Sequence, residues 1–366
     1  MKNLFLLLLA LPSFLSCNST VNKLFGGKDK TPHEIYAEKI EKVPAGKQWI
    51  EVSNNILLNT KAVQLPYKQL GYFPAGKPRA LALEFTAQRG EQINFDLRSS
   101  VSTDPVVYAD VFKDNAGTVD HIVSADEDSS HFSFDVEETG TYILRLQPQM
   151  ETNVQYDLAI AAAPSLGFPV AGTKARVVSV WGDSRDNGAR KHEGIDIAAT
   201  RLTPAIAAAD GYISSVKDGG LGGKTVNMKV KDRNLSLYYA HLDQQLVQEG
   251  QYVKKGDTIG LVGNTGNAKH SSPHLHFGIY TYGGAIDPLP FVNKINKSIP
   301  APAAKDLTQQ LQLTKAITIK DKEPVKASTV LIPLAVTATG YLVELADGTI
   351  IEAPFKSVKI LSDKQG

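Results

Sequence analysis

Cysteine is nearly missing from this chain of 366 residues, in which Cys17 is the only one. The chain can therefore form no intramolecular disulfide, and a metal ion bound to it must be held by histidine and carboxylate groups rather than by thiolates. The chain also lacks a large excess of charge of either sign, because 39 lysines and arginines nearly balance 38 aspartates and glutamates, which gives a net charge of +1. Such a balance gives no reason to expect nucleic acid as a partner.

The apolar run at residues 4–11 is too short to span a membrane and is typical of a secretory signal peptide. Ser16 and Cys17 follow it, and residues 1–17 resemble a bacterial lipoprotein signal, in which the cysteine is lipidated and becomes the mature N-terminus. The alternative is an ordinary cleaved signal with a chance cysteine. Both predict an exported protein, and the first adds a membrane partner through the lipid anchor. Asn18 fits sorting to the outer membrane, facing the periplasm, if the source is Gram-negative.

Charge and proline content divide the rest of the chain into segments. Residues 45–165 hold 9 basic and 16 acidic residues, whereas residues 166–294 hold 15 basic and 11 acidic residues, which favours two separate domains. A Pro/Ala-rich stretch at residues 299–304 marks a further boundary. We predict a tether at 18–47, a β-sandwich-like accessory domain at 48–163, a second domain at 166–295, a linker at 296–306 and a small β-barrel, similar to a bacterial SH3-like module, at 307–366.

Short runs that alternate apolar and polar residues, separated by turn residues, predict β-strands through most of the chain. Residues 80–85 and 93–97 have this pattern in the first domain, and residues 330–360 have it near the C-terminus. One helix is predicted, with Thr31 as N-cap and Pro32 in the first turn. The predicted fold class is therefore all-β, built mainly from antiparallel sheets.

Three elements of the second domain carry residue types that bind metal ions. In the first, His192 and Asp196 form a His-x-x-x-Asp pair, which alone is a common chance match. Ile195 and Ile197 alternate with Asp196, so the carboxylate is expected to point away from the core. Gly194 permits the bend that brings both polar side chains to one ion.

The other two elements are strand-like runs with histidines. His274 and His276 alternate with apolar residues, so both imidazoles are expected to project into one cleft. Tyr239 and His241 are likewise expected on one face of a strand. Each run alone is more typical of surface or packed histidines than of a site.

Together, the three elements offer four histidines and one aspartate. A catalytic zinc ion needs three nitrogen or oxygen ligands and an open position for water, whose pKa the metal lowers to about 7. Two groups remain beyond the three ligands. Imidazoles titrate near neutral pH, so additional histidines suit removal of the water's proton or stabilisation of an oxyanion.

In this setting, residues 180–288 resemble the catalytic domain of the lysostaphin-type (LytM-like) peptidases, secreted zinc enzymes that cut peptidoglycan cross-bridges or stem peptides. The motifs that carry the resemblance are residues 192–196, 203–204 with 209–211, 239–242, 253–257, 263–266 and 274–277. The resemblance implies a zinc metallopeptidase domain at 166–295, with Zn²⁺ as cofactor. It implies His192, Asp196 and His276 as zinc ligands and His241 and His274 as the catalytic pair.

Two departures from the family pattern bear on substrate choice. The loop at residues 267–272 is longer than usual and carries His270, which is interpreted as a surface residue. Gly278 replaces a frequent glutamate. Neither change removes a zinc or catalytic group, and the loop is expected to form one wall of the cleft.

The resemblance implies a hydrolase, a zinc-dependent endopeptidase that acts on peptide bonds of bacterial peptidoglycan in cell-wall remodelling. The alternative is a non-catalytic activator of cell-wall amidases or a wall-binding scaffold. Family members that serve as activators lack a zinc ligand, and no ligand is missing from this sequence. The bond that is cut, the identity of the base within the histidine pair and any protein partners stay open.

Overall fold

The computed structural model describes residues 30–99, 106–293, 297–319 and 323–361. The predicted signal segment with Cys17 lies outside these ranges, so the lipid anchor stays a prediction. Within the described ranges, none of the helices combines the length and the apolar character needed to cross a lipid bilayer.

Two facing sheets form the first unit of the chain. Its strands are β1 (Lys61–Ala62), β2 (Tyr67–Phe73), β3 (Leu81–Ala87), β4 (Glu91–Ser99), β5 (Val107–Asp114), β6 (Val119–Ser124), β7 (His131–Asp135), β8 (Gly140–Pro148) and β9 (Val154–Pro164). One sheet has the order β1-β3-β8-β5-β6, and the other contains β2-β9-β4-β7. Buried aromatic and aliphatic side chains from both sheets fill the space between them, as in a β-sandwich.

Two helices precede these strands. α1 (Pro32–Ile40) begins as predicted, because the Thr31 hydroxyl accepts a hydrogen bond from the Glu34 backbone N–H while the Glu34 carboxylate accepts one from the Thr31 N–H. α2 (Pro44–Asn55) follows, and contacts α1. Part of the segment predicted as a tether is therefore helical.

A buried polar cluster holds these helices against β8. His33 stacks on Trp49 with ring centroids 4.5 Å apart, and its Nε2 lies 2.7 Å from Oε1 of Gln147. The indole N–H of Trp49 donates to the carbonyl of Pro148 at 2.9 Å. His33 and Trp49 are only 5% and 1% exposed, so the helices are part of the packed structure.

The strands after residue 307 are β22 (Leu311–Leu313), β23 (Val330–Val336), β24 (Gly340–Glu344), β25 (Ile350–Pro354) and β26 (Val358–Ile360). They pack around a small core of their own, with β22 paired to both β23 and β26, but within the described residues they do not close into a barrel. β23 pairs antiparallel with β2, with Leu70 opposite Val336, and the sheet order becomes β25-β24-β23-β2-β9-β4-β7. This pairing covers Leu70 and Gly71 on an edge of β2 that would otherwise be open there.

The second unit is one large sheet with the order β10-β13-β20-β17-β16-β15-β18, to which β14, β19 and β21 are attached. Its strands and the helix that follows are β10 (Arg176–Ser179), β11 (Ser184–Arg185), β12 (Arg190–Lys191), β13 (Ile195–Ala198), β14 (Pro204–Ile206), β15 (Gly211–Asp218), β16 (Lys224–Val230), β17 (Ser236–Gln245), β18 (Tyr252–Val253), β19 (Thr258–Val262), β20 (His274–Thr281), β21 (Gly284–Ile286) and α3 (Leu289–Val292). β11 and β12 form a separate hairpin. One face of the sheet packs on an apolar core, and the mainly antiparallel pairing confirms the predicted all-β class.

Candidate metal centre

β13 and β20 are antiparallel neighbours, and their register brings predicted site residues together. Asp196 lies opposite His276, and Ala198 lies opposite His274. The residues that alternate with them are fully buried in the core: Ile195, Ile197, Leu275 and Phe277. Because side chains alternate across a strand, Asp196 and His276 are directed to the opposite face, as predicted.

Three side-chain atoms from separate segments converge on that face. Nε2 of His192 lies 3.1 Å from Oδ1 of Asp196 and 2.9 Å from Nδ1 of His276. The same Oδ1 lies 3.0 Å from Nδ1 of His276. Gly194 leaves the space for this arrangement, since a Cβ there would lie 2.7 Å from Cε1 of His276.

The donor set fits a zinc ion. Two imidazole nitrogens and one carboxylate oxygen are the types of ligand that zinc takes in catalytic sites. Among the described residues, His192, Asp196 and His276 bring their ligand atoms within 4.8 Å of one another. Lone pairs directed at one point over such distances repel one another unless a cation or a proton lies between them. A bound cation would therefore stabilise this arrangement.

Groups behind the three atoms fix their orientation. Nδ1 of His192 donates to the carbonyl of Val180 at 2.9 Å, which leaves Nε2 with its lone pair. The guanidinium of Arg185 donates from Nη2 to Oδ2 of Asp196 at 2.8 Å and to Oγ of Ser179 at 2.6 Å. The other oxygen of Asp196 is thereby left for the cluster.

Asp196 is anionic in this environment. Its burial opposes ionisation, but the interactions with the adjacent imidazoles of His192 and His276 outweigh burial and hold the pKa of the carboxyl well below its ordinary value. A metal-ligating carboxylate has to be deprotonated, so the local electrostatics suit that role.

His241 has a backbone conformation that a regular strand does not provide. Its φ of +61° lies in the left-handed region, its N–H donates to the carbonyl of Gly222 at 2.8 Å, and its Nδ1 lies 2.9 Å from the carbonyl oxygen of Thr265. Tyr239 is instead buried in the core against Phe277. The expectation that Tyr239 and His241 share a strand face is therefore wrong, because the positive φ turns His241 out of the alternation and towards the metal-binding face.

His241 and His274 lie beside each other next to the three converging groups. Their ring centroids are 5.1 Å apart, and the His241 ring lies 5.9 Å from that of His276. Nδ1 of His274 donates to the carbonyl of Ser272 at 2.8 Å, as Nδ1 of His241 donates to a carbonyl, so Nε2 of each neutral ring keeps its lone pair. Burial, followed by the charges of His274 and His276, lowers the pKa of His241 to about 4.

This arrangement lies within a region that matches a known family. Residues 190–288 match the profile of peptidase family M23. This region is a peptidase family M23 domain. The resemblance inferred from the motifs is thus confirmed.

Curated relatives match about a third of the chain. An uncharacterised metalloprotease of Haemophilus influenzae is 38% identical over 121 residues, which are 32% of this chain and 25% of that protein. The murein hydrolase activator NlpD of Escherichia coli is 36% identical, over 33% of this chain and 30% of that protein. The peptidoglycan DD-endopeptidase ShyC of Vibrio cholerae is 30% identical, over 34% of this chain and 26% of that protein. The chain thus spans less than a third of the length of these curated relatives.

Among solved structures, the catalytic domain of lysostaphin from Staphylococcus simulans is similar to part of the chain. It is 30% identical, covers 32% of this chain and 90% of its own chain, and has a TM-score of 0.30.

The five predicted site residues of the M23 domain line one open cleft of about 600 Å³. Further residues that line it include Arg190, Lys191, Leu221, Tyr238, Asn267 and Tyr280. The loop at 267–272 contributes to the lining, as predicted. His270 is exposed and is not among the lining residues, in keeping with its interpretation as a surface residue.

The sequence patterns did not indicate three residues of the site: Arg185, Tyr238 and Tyr280. Tyr280 had a signal, because it lies four residues after His276 on one strand and therefore shares its face. Arg185 had none, since it lies on a two-residue strand where alternation is too short to indicate a face.

Proposed function

We propose that the M23 domain is a zinc-dependent endopeptidase that hydrolyses peptide bonds of bacterial peptidoglycan, in a cross-bridge or a stem peptide. The observation that carries the proposal is the complete set of five groups around one cleft. Relatives named as a peptidoglycan endopeptidase and a murein hydrolase activator support peptidoglycan as the material on which the chain acts. Such an activity serves cell-wall remodelling.

His192, Asp196 and His276 are the proposed zinc ligands. Zinc bound there would supply Lewis acidity towards the scissile carbonyl and make water acidic enough to lose a proton near neutral pH. Arg185 positions Asp196 through its second oxygen, at 2.8 Å. The carbonyl of Val180 fixes the ring of His192, so that two of the three ligands are oriented before a metal arrives.

His241 and His274 are the proposed catalytic pair. Each neutral ring has its Nδ1 hydrogen tied to a carbonyl, so Nε2 is the atom that accepts the proton of the attacking water. A ring that has taken this proton donates a hydrogen bond to the oxyanion or passes the proton to the leaving amine. Because the pKa of His241 is about 4, this ring is neutral at pH 7 and able to act as a base.

Digestion of purified muropeptides tests the activity. We expect the zinc-loaded chain to release products in which one peptide bond has gained a water, identified by mass spectrometry. Treatment with a chelator should stop product formation, and added zinc should restore it. A chain that carries one zinc per molecule yet leaves every cross-linked and stem peptide intact would rule out the endopeptidase.

A non-catalytic activator is the second candidate, favoured by the similarity to the activator of Escherichia coli. An activator needs no metal cluster, whereas the chain retains all three potential ligands. The two functions separate in a mixture of a purified wall amidase with the His276→Ala variant. Stimulation of the amidase by this variant would favour the activator, and wall hydrolysis no greater than that of the amidase alone would favour the enzyme.

We further propose that the protein acts in the cell envelope as a lipoprotein anchored at Cys17. Relatives named for peptidoglycan and murein support this location, since that material lies outside the cytoplasmic membrane. Cys17→Ala should release the protein from the membrane fraction, because the lipid chain supplies the membrane affinity. Continued membrane association of this variant would contradict the anchor.

A further inference from the structure

The face of the large sheet that carries the candidate metal centre continues beyond the cleft. Across neighbouring strands, Tyr280 lies opposite Ser236, Ser236 opposite Lys229, Lys229 opposite Tyr212, and Tyr212 opposite Tyr252. We name these five residues the tyrosine row. Neighbouring strands lie about 4.8 Å apart, so the four steps of the row span about 19 Å.

Strand parity shows that the tyrosine row shares a face with the zinc-ligand candidates. Tyr280 lies four residues after His276 on β20 and lines the cleft. The residues that alternate with the row are fully or almost fully buried in the core on the other face: Ile213, Met228, Leu237 and Ile279. The row therefore starts in the cleft and runs to the edge strand β18.

The outer end of the row is an exposed aromatic pair. Tyr212 is 53% exposed and Tyr252 is 39% exposed, and their rings meet edge to face with centroids 5.0 Å apart. The hydroxyl of Tyr252 donates to Oδ2 of Asp210 at 3.2 Å, which limits the movement of its ring. Single exposed apolar residues are ordinary on a protein surface, whereas an ordered aromatic pair offers a prepared contact area.

Polar side chains surround the aromatic rings of this face. In the adjacent register row, the amide of Asn227 donates to Oγ of Ser215 at 3.0 Å, and Ser236 and Lys229 lie within the tyrosine row itself. Hydroxyl and amide groups suit hydrogen bonds to a sugar, and aromatic rings suit the apolar faces of its ring. Lys229 complements the carboxylates that peptidoglycan peptides carry beside the sugar chain. An apolar protein partner would match these polar groups poorly.

We propose that the tyrosine row binds the glycan strand of the same peptidoglycan polymer whose peptide occupies the cleft. The proposal rests on the proposed function and adds to it a second, saccharide-binding site. The continuity of the row with the cleft through Tyr280 allows one polymer to contact both. When the tyrosine row binds the glycan, the peptide attached to that glycan stays near the cleft at a high effective concentration.

The double variant Tyr212→Ala/Tyr252→Ala tests the proposal with two probes. The first probe is a preparation of glycan strands from which an amidase has removed the peptides, and binding is measured by co-sedimentation. The second is the set of sugar-free cross-linked peptides released by that amidase, and hydrolysis is measured. Binding of the glycan should fall by about tenfold or more, as expected when anchoring aromatic rings are truncated. Hydrolysis of the sugar-free peptides should stay at the wild-type rate.

Tyr282→Ala is the matched control, because Tyr282 is 94% exposed in the turn between β20 and β21 and lies outside the tyrosine row. It should retain both glycan binding and peptide hydrolysis. Tyr252→Phe keeps the ring and loses the hydroxyl, so it should retain most of the glycan binding if ring contact dominates.

The outcomes separate this proposal from the proposed function. Wild-type glycan binding by the double variant would overturn the tyrosine row, even if the chain proves to be an endopeptidase. Glycan binding that depends on the row in a chain without hydrolytic activity would overturn the endopeptidase alone. An equal loss on both probes, with zinc content and circular dichroism unchanged, would also contradict a separate saccharide site.

Discussion

Oδ1 of Asp196 and Nδ1 of His276 lie 3.0 Å apart on directly opposed residues of β13 and β20. Both side chains alternate with core residues that are fully buried, so neither strand can shift by one residue without exposing its apolar side chains. The relative position of the two groups is therefore fixed by the sheet itself. A site built on paired strands is more precise than one built on loops, which favours a metal centre formed in advance.

The first prediction concerns the zinc ligands. Replacing His192, Asp196 or His276 by Ala should abolish stoichiometric zinc binding, because three protein groups are the usual minimum of a catalytic zinc site. Zinc is measured by mass spectrometry of the metal after dialysis. His270→Ala is the matched control, since that histidine is exposed and lies outside the cleft, and it should keep one zinc. One zinc per chain in all three ligand variants would refute the assignment.

The second prediction concerns Arg185 as a positioning residue. Arg185→Met keeps the length of the side chain and removes its hydrogen bonds to Asp196 and Ser179. Zinc affinity should fall by about 10-fold to 100-fold, the usual effect of losing a partner that orients a ligand. The affinity is measured by competition with a chelator, without reference to activity.

Two further variants sharpen the test of Arg185. Arg185→Lys keeps the charge and one hydrogen bond, so it should restore part of the affinity. Lys191→Met, on the paired strand of the same hairpin, controls for loss of a positive charge near the cleft. An unchanged zinc affinity in Arg185→Met would show that Asp196 needs no such partner.

Local sequence pattern predicted much of the metal centre, because the period of a strand and the burial of its apolar face decide where the alternate residues point. Ile195 and Leu275 lie in the core, and Asp196 and His276 meet on the opposite face. The N-cap at Thr31 is another local signal, and the helix begins there as predicted.

The remaining features depend on contacts between distant segments, which local pattern does not contain. His241 leaves the strand alternation because its backbone and ring bind the carbonyls of Gly222 and Thr265 on two other loops. The C-terminal strands resemble a separate small barrel in sequence, yet β23 pairs with β2 across a separation of more than 250 residues. The alternation of apolar and polar residues predicts neither the carbonyls that bind His241 nor the strand that pairs with β23.

The third prediction concerns the pH dependence of stability at His33. Burial, followed by the charge of Arg145, lowers the pKa of His33 to about 4. Because the folded-state pKa lies below the unfolded value near 6.5, the stability associated with neutral His33 is complete above about pH 6.5 and is lost as the pH falls towards 4. The loss can reach about 3 kcal/mol.

His33→Gln removes the titrating group and retains a side chain able to donate to Gln147. Its free energy of unfolding should therefore change less between about pH 7 and about pH 4.5 than that of the wild type. Urea unfolding followed by tryptophan fluorescence reports on the region, because Trp49 stacks on His33. His121→Gln controls for the loss of an exposed histidine. Equal pH dependence in wild type and His33→Gln would refute the prediction.

The last prediction separates the catalytic pair from the ligands. His274→Ala and His241→Asn should keep one zinc per chain and lose about 100-fold or more in turnover, the usual contribution of a positioned acid, base or oxyanion donor. Asn is chosen at position 241 because it tolerates the positive φ better than Ala, so the change removes the imidazole with little backbone strain. If His241 is the base, kcat/KM of the wild type should fall only as the pH drops through about 4, because the ring is inactive once protonated. Zinc content is measured at each pH, since ligand protonation also releases metal. Wild-type turnover in both variants would exclude the pair and direct the search for a base to Glu193, which also lines the cleft.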